Sequence, residues 1–310
     1  MGCHRARHRR SGLPAAAMAA VLAVTACSAE HGSAAGTAAA TPAVPVAAEI
    51  NQLRDNYSKQ IVSIQLTNTS GGVVTVLGAR LGSALFTAGI SWQGPPGGIE
   101  LPPGQTKSLP AQLPPPVCGP AAGSAEDAAT VSIMLAAAPP AAATPLATAP
   151  AATLPAADPF GVLSRNNTEM CLAQAASAAA GFRLDPGLDV SADGRTAVVR
   201  LLITPRDAGP ADEPATLTID RIDGTTLLAE DPAVPWPRAV PVRAGGPAQE
   251  LRLGIRPARC DAHAVAEDKV GTLLPLRVTA GAREGVLKID AGAVLRGRIY
   301  DFVTAACAPQ

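Results

Sequence analysis

Gly246-Pro247-Ala248-Gln249-Glu250-Leu251-Arg252-Leu253-Gly254-Ile255-Arg256-Pro257, three residues short of Cys260, decides the fold class. Leu251, Leu253 and Ile255 alternate with Arg252, Gly254 and Arg256, a period of two that turns one side of an extended segment to a core and the other to water. The same approach to a cysteine occurs earlier in the chain. Gly104, Leu109, Leu113, Pro115 and Cys118 match Gly246, Leu251, Ile255, Pro257 and Cys260 at a constant offset of 142.

Working outward, the correspondence continues. Ala125-Glu126-Asp127 answers Ala266-Glu267-Asp268, and the alternating Val131, Ile133 and Leu135 answer Leu274, Leu276 and Val278. Upstream, Arg80-Leu81 and Phe86 answer Arg221-Ile222 and Leu227, and each half places one tryptophan (Trp92, Trp236) before its glycine. Offsets stay between 141 and 144. So ordered a series reads as two copies of one module, over 49–176 and 177–310. Val62, Ile64 and Leu66 alternate with Ser63, Gln65 and Thr67 before the turn Asn68-Thr69-Ser70-Gly71-Gly72; Leu217 and Ile219 alternate with Thr218 and Asp220. Short period-two runs between Gly, Pro and Asn turns predict an all-β fold of two tandem antiparallel β-sandwich domains arising from an internal duplication. Near the C-terminus Leu295, Ile299, Phe302, Val303 and Ala306 fit helical spacing, though a strand fits equally.

The N-terminus carries an address. His4, Arg5, Arg7, His8, Arg9 and Arg10 form a basic region, and Leu13–Val24 is an apolar run of twelve residues. That is short of the about 20 residues that span a bilayer and suits a cleaved export signal. Val24-Thr25-Ala26-Cys27 resembles the bacterial lipobox, which implies a signal over 1–26 and an acylated Cys27 as the mature N-terminus. Residues 27–48, rich in Ser, Ala, Gly, Thr and Pro, predict a disordered tether. Ala136–Ala157, similar in composition, is expected as a long Ala/Pro-rich loop inside the first module. The whole chain has 25 basic and 25 acidic residues; losing 1–26 leaves 21 against 25, a balance that points away from nucleic acid and from an anionic surface as partner.

Four cysteines remain beyond Cys3 and Cys27, an even number suited to disulfides in an oxidising compartment. If the halves are copies, Cys171 answers Cys307, which predicts Cys118–Cys171 and Cys260–Cys307. A rival reading makes the Ala/Pro run an interdomain linker and assigns Cys171 to the second domain.

The export signal, the Thr67-Asn68-Thr69-Ser70 turn after an early strand and the Pro-rich approach to each cysteine resemble the immunoglobulin-like modules of actinobacterial surface lipoproteins. The resemblance spans residues 49–310 loosely and implies fold more than function. Neither half has a Cys…Trp…Cys order, so antibody-type domains are not implied.

Chemistry-bearing motifs are few. His263 is the only histidine beyond the tether, and with Asp261, Glu267 and Asp268 it makes a weak candidate set of metal ligands. Glu126 and Asp127 recur in the first half without a histidine, which points to a shared role of the acidic pair at a turn or salt bridge. No Gly-x-Ser-x-Gly elbow and no phosphate loop occur, and acidic residues sit in turn contexts such as Ser191-Ala192-Asp193-Gly194. Stacking platforms need exposed aromatics, and the mature chain has eight aromatic residues: Tyr57, Phe86, Trp92, Phe160, Phe182, Trp236, Tyr300 and Phe302. The expectation is a non-enzymatic, cofactor-free protein, lipid-anchored on the extracytoplasmic face of the cell membrane. It would act as a binding or structural component of the envelope, with the bilayer and envelope proteins as partners. The alternative is a solute- or metal-binding lipoprotein assisting a transporter or envelope enzyme.

Overall fold

Wherever apolar side chains recur at every second position the chain is extended and paired. A computed structural model of the protein describes residues 44–119, 129–136, 152–208, 215–261, 265, 268 and 270–308. The expected signal, Cys27 and the expected tether up to residue 43 lie outside the described residues.

The first half builds β1 (Val46–Asn51), β2 (Ile61–Asn68), β3 (Val74–Gly82), β4 (Ile90–Gln93), β5 (Ile99–Leu101), β6 (Thr106–Gln112), β7 (Thr130–Leu135) and β8 (Ala152–Ala157). They form one eight-stranded sheet in the order β4-β3-β7-β8-β1-β2-β6, with β5 on β3. All pairs are antiparallel except β1 with β8, where Ala48 faces Ala156 and Glu49 faces Ala157. Helix α1 (Val162–Ala179) follows. The second half builds β9 (Ala180–Leu184), β10 (Asp189–Val190), β11 (Ala197–Pro205), β12 (Thr216–Ile222), β13 (Leu228–Glu230), β14 (Val240–Arg243), β15 (Gln249–Pro257), β16 (Leu273–Ala280), β17 (Arg283–Asp290) and helix α2 (Gly292–Ala306). Here two antiparallel sheets form, β10-β11-β15-β13 with β9 on β11, and β14-β12-β16-β17. The described fold is predominantly β, with antiparallel sheets and two α-helices of more than a few residues.

Two buried apolar clusters hold these sheets. The first gathers Ile50, Ile64, Leu66, Leu81, Leu109 and Ile133; the second gathers Leu201, Ile203, Ile219, Leu253 and Leu276 and is roofed by Leu295, Ile299, Phe302 and Val303 of α2. Each such side chain, fully buried, contributes about 1.5–3 kcal/mol. Both clusters belong to one compact unit, and α1 joins them. Val162 and Leu163 are in the first cluster, Leu172, Ala176 and Ala179 in the second.

Three boundaries differ from expectation. The tether expected over 27–48 ends earlier, because Val46, Ala47 and Ala48 already pair with Asn68, Thr67 and Leu66. Within the expected loop 136–157, Ala152–Ala157 is strand β8, bonded on one side to β7 and on the other to β1. Ladder hydrogen bonds are made by the backbone and are indifferent to an Ala-rich composition, while buried Leu154 supplies the apolar contact. Finally, the expected module boundary between residues 176 and 177 falls inside α1, whose two ends bury their side chains in different cores.

Candidate functional site

The acidic segment after β15 comes first. Asp261 is exposed next to Cys260, and its carbonyl accepts from the Val265 amide at 3.0 Å. His263 and Glu267 lie outside the described residues. Asp268 is described, and its carboxylate is fully engaged. It accepts from the Gly271 amide at 3.0 and 2.8 Å, from the Thr226 hydroxyl at 2.6 Å and from the Tyr300 hydroxyl at 2.9 Å. Burial, reinforced by the hydrogen bond to Asp268 and its charge, pushes the Tyr300 phenol up to about 12. Asp268 therefore clasps the turn before β13, the approach to β16 and helix α2. Gly271 is required there, since a Cβ would stand 2.6 Å from the carboxylate. Among the described residues no group of three metal-ligating side chains comes together.

Other carboxylates also make turns. Asp193 accepts from the Ser191 hydroxyl at 2.6 Å and the Arg195 amide at 3.0 Å, and these bonds hold its carboxyl below the usual carboxylate range. Asp185 is held below that range by the Gly187 amide and then by Arg200.

Both disulfides tie a helix to the segment that leaves a sheet. Cys118, beyond β6, is bonded to Cys171 in α1 with Cα atoms 5.5 Å apart; Cys260, beyond β15, is bonded to Cys307 at the end of α2 with Cα atoms 5.2 Å apart. Cys171, which the rival reading assigns to the second domain, is thus bonded to a cysteine of the first half. Beside the first bridge, Asn167 donates to the carbonyls of Leu85 (2.6 Å) and Val117 (3.1 Å), lacing α1 to two loops of the first half.

Directly before Asn167 in the helix, Arg165 and Asn166 belong to a second polar group at the tip of the first half. Gln52 and Asn166 exchange amide hydrogen bonds of 3.2 and 2.9 Å, Arg165 donates to Gln52 Oε1 at 3.0 Å, and the Arg165 guanidinium stacks over Tyr57, 5.3 Å from the ring centroid. Asp158 starts the helix by accepting from the amides of Val162 (2.7 Å) and Leu163 (2.9 Å), the arrangement that satisfies open first-turn donors. The turn that carries Asp158 also thrusts Phe160 into solvent. Apart from Tyr57 and Phe160, counted among the eight aromatics, none of these residues stood out in the sequence; the one further signal is Asp158-Pro159-Phe160-Gly161, an acidic residue and a glycine just ahead of an apolar pair.

The tryptophans are packing residues. Trp236 is buried and donates from Nε1 to the Gly254 carbonyl at 2.6 Å; Trp92 lies half-buried against the first core. A small apolar void in the second core, lined by Leu184, Val199, Leu253, Ile255 and Ile299 among others, presents no converging polar groups of the kind that orient a ligand.

No known protein family matches the chain, and no curated protein is similar to it. Among solved structures, the exo-chitosanase CsxA of Amycolatopsis orientalis aligns with 73% of this chain at 13% identity and a TM-score of 0.20. This chain spans 25% of that enzyme's length. The B domain of a biofilm associated protein aligns with 77% of this chain and 82% of its own at 7% identity and a TM-score of 0.18.

Proposed function

We propose that this protein is a lipid-anchored component of the extracytoplasmic face of a bacterial envelope, of the actinobacterial surface-lipoprotein kind. It acts there by binding or scaffolding rather than by catalysis, through two tandem immunoglobulin-like modules of duplicated origin. The observation that carries the reading is the pair of disulfides, Cys118–Cys171 and Cys260–Cys307, in a chain whose first residues read as an export signal and whose Val24-Thr25-Ala26-Cys27 resembles a lipobox. Such bridges persist in oxidising compartments, the destination that the signal implies.

Strand pairing supports the duplication. The pairs β1·β2, β2·β6, β3·β5, β3·β7 and β7·β8 recur in chain order as β9·β11, β11·β15, β12·β14, β12·β16 and β16·β17. Even a lone backbone bond repeats, Val117 to Leu85 in one half and Ala258 to Leu227 in the other, both at 2.9 Å.

Metabolic labelling with a palmitate analogue tests the anchor. The wild-type protein takes up label and sediments with membranes, whereas Cys27→Ser is unlabelled and released. A wild-type protein without label, or a Cys27→Ser form held on membranes as firmly, overturns the reading.

A further inference from the structure

The mature chain's eight aromatic residues are distributed unevenly. Phe86, Trp236 and Phe302 are buried, and Trp92, Phe182 and Tyr300 are half-buried. The two exposed ones, Tyr57 at 44% and Phe160 at 64%, share one tip with Leu53 at 57%. Topology forces this meeting. Strands β1 and β8 run parallel with Ala48 opposite Ala156, so the loop that leaves β1 with Leu53 and Tyr57 and the turn that leaves β8 with Phe160 emerge at the same end of the sheet. The tip is stiff, because Arg165 stacks on Tyr57 and hydrogen-bonds Gln52, which is itself locked to Asn166. Exposed Arg54 and Lys59 flank it. Of the acids in the same segments, Asp55 lies in the β1–β2 loop and Asp158 is turned onto the first amides of α1. With Arg165, the three cations Arg54, Lys59 and Arg165 exceed the two acids Asp55 and Asp158 by one, so the acidity of the mature chain does not extend to this tip.

We propose that this tip is a lipid-contact surface: Leu53, Tyr57 and Phe160 enter the headgroup region of the bilayer while Arg54 and Lys59 meet lipid phosphates. The inference rests on the lipid-anchored reading above. An aromatic and aliphatic cluster with cations at its rim is the composition that settles at a membrane interface. The occupant is argued from the chain itself. Eighteen residues separate Cys27 from Val46, a reach of up to about 60 Å, whereas the six residues of β1 that carry the chain to the tip span about 20 Å. An acyl anchor on that leash keeps the bilayer at a high effective concentration beside the tip. Even weak insertion is then enough to lay the first half on the membrane.

The test uses the full mature chain carrying Cys27→Ser, so that no acyl group contributes, and measures co-sedimentation with phosphatidylcholine vesicles, with and without phosphatidylglycerol. This chain is expected to bind both, the anionic vesicles more tightly. Leu53→Ser/Tyr57→Ser/Phe160→Ser lowers the partition coefficient by about tenfold or more, Phe160→Ser alone lowers it less, and Arg54→Gln/Lys59→Gln removes only the preference for anionic lipid. Phe160→Ser and Arg54→Gln/Lys59→Gln melt like the parent, because those side chains are exposed, while the triple variant, which also gives up the Arg165 stacking on Tyr57, melts only slightly lower and stays folded at the assay temperature. No binding by the parent at millimolar lipid overturns the proposal, as does a triple variant that binds like the parent. A triple variant that keeps lipid binding but loses an envelope protein held by the parent assigns the tip to that protein instead. Palmitate labelling reads the anchor and vesicle binding reads the tip, so the failure of one is distinguishable from the failure of the other.

Discussion

Leu172 stands against Gly285 so closely that a Cβ on residue 285 would lie 2.9 Å from Leu172 Cδ2. That contact docks α1 on β17, and Leu172 is buried, so its side chain has little room to withdraw. Gly285→Val therefore overpacks the seam at a cost of about 1–3 kcal/mol, read as a lower melting temperature. Lys288–Glu169 joins the same two elements at 3.3 Å, but both side chains are half exposed. Lys288→Ala accordingly changes stability by no more than about 1 kcal/mol. Equal losses from the two substitutions would contradict this ranking.

Asn167 is the polar counterpart of that seam. Asn167→Ala leaves the Val117 carbonyl without its side-chain donor and costs about 1–3 kcal/mol. Asn167→Asp costs more, because a carboxylate oxygen then faces two carbonyl oxygens. Urea denaturation of the three proteins checks the order.

The disulfides close loops of 53 and 47 residues. Chain-entropy reasoning gives each about 4 kcal/mol. Cys118→Ser/Cys171→Ser and Cys260→Ser/Cys307→Ser should therefore each lower the denaturation midpoint by similar amounts. A reductant should lower the wild type by as much as replacing all four cysteines does, and should leave that fourfold variant unchanged.

Tyr300 sets an alkaline limit. Its folded-state pKa of about 12 lies above the usual value of 10.0, so the unfolded chain releases this proton first as pH rises. The stabilisation is complete below about 10 and is lost as pH climbs through about 12. Tyr300→Phe keeps most of the ring packing but abolishes the bonds to Asp268, and it should flatten the fall in stability between those limits. Chemical denaturation across that pH window is the measurement; an unchanged slope in Tyr300→Phe would rule out this assignment.

Much of the β-structure was legible because its causes are local. Val62, Ile64 and Leu66, Leu217 and Ile219, and Leu251, Leu253 and Ile255 each announce a strand by alternation alone, and each set is buried in its core. The stripe Leu295, Ile299, Phe302 and Val303 is a helix, resolving the ambiguity that spacing left. Helix α1 was hidden for a physical reason. Its buried stripe passes through Asn166 and Asn167, which look like solvent residues in a sequence and are inside only because Gln52, Leu85 and Val117 satisfy them. Strand β8 was hidden because an Ala-rich segment has almost no side-chain signal and is held by two neighbouring backbones.

The candidate sites divide in the same way. Asp268 resembled a metal ligand when only its acidic neighbours were visible, but Thr226 and Tyr300, remote in the chain, and Gly271, three residues on, occupy its oxygens. The exposed tip of Leu53, Tyr57 and Phe160 could not be read from spacing either, since it exists only because β1 and β8 run side by side.

By itself, then, the order of residues determined which segments alternate and that four cysteines beyond residue 48 make an even set. Both follow from short-range periodicity and composition. Only the tertiary structure decided which polar groups go inside, that one helix serves two cores, and which aromatic rings stay in water. Those outcomes depend on partners a hundred residues away, and burial is a property of the assembled surface rather than of any stretch along the chain.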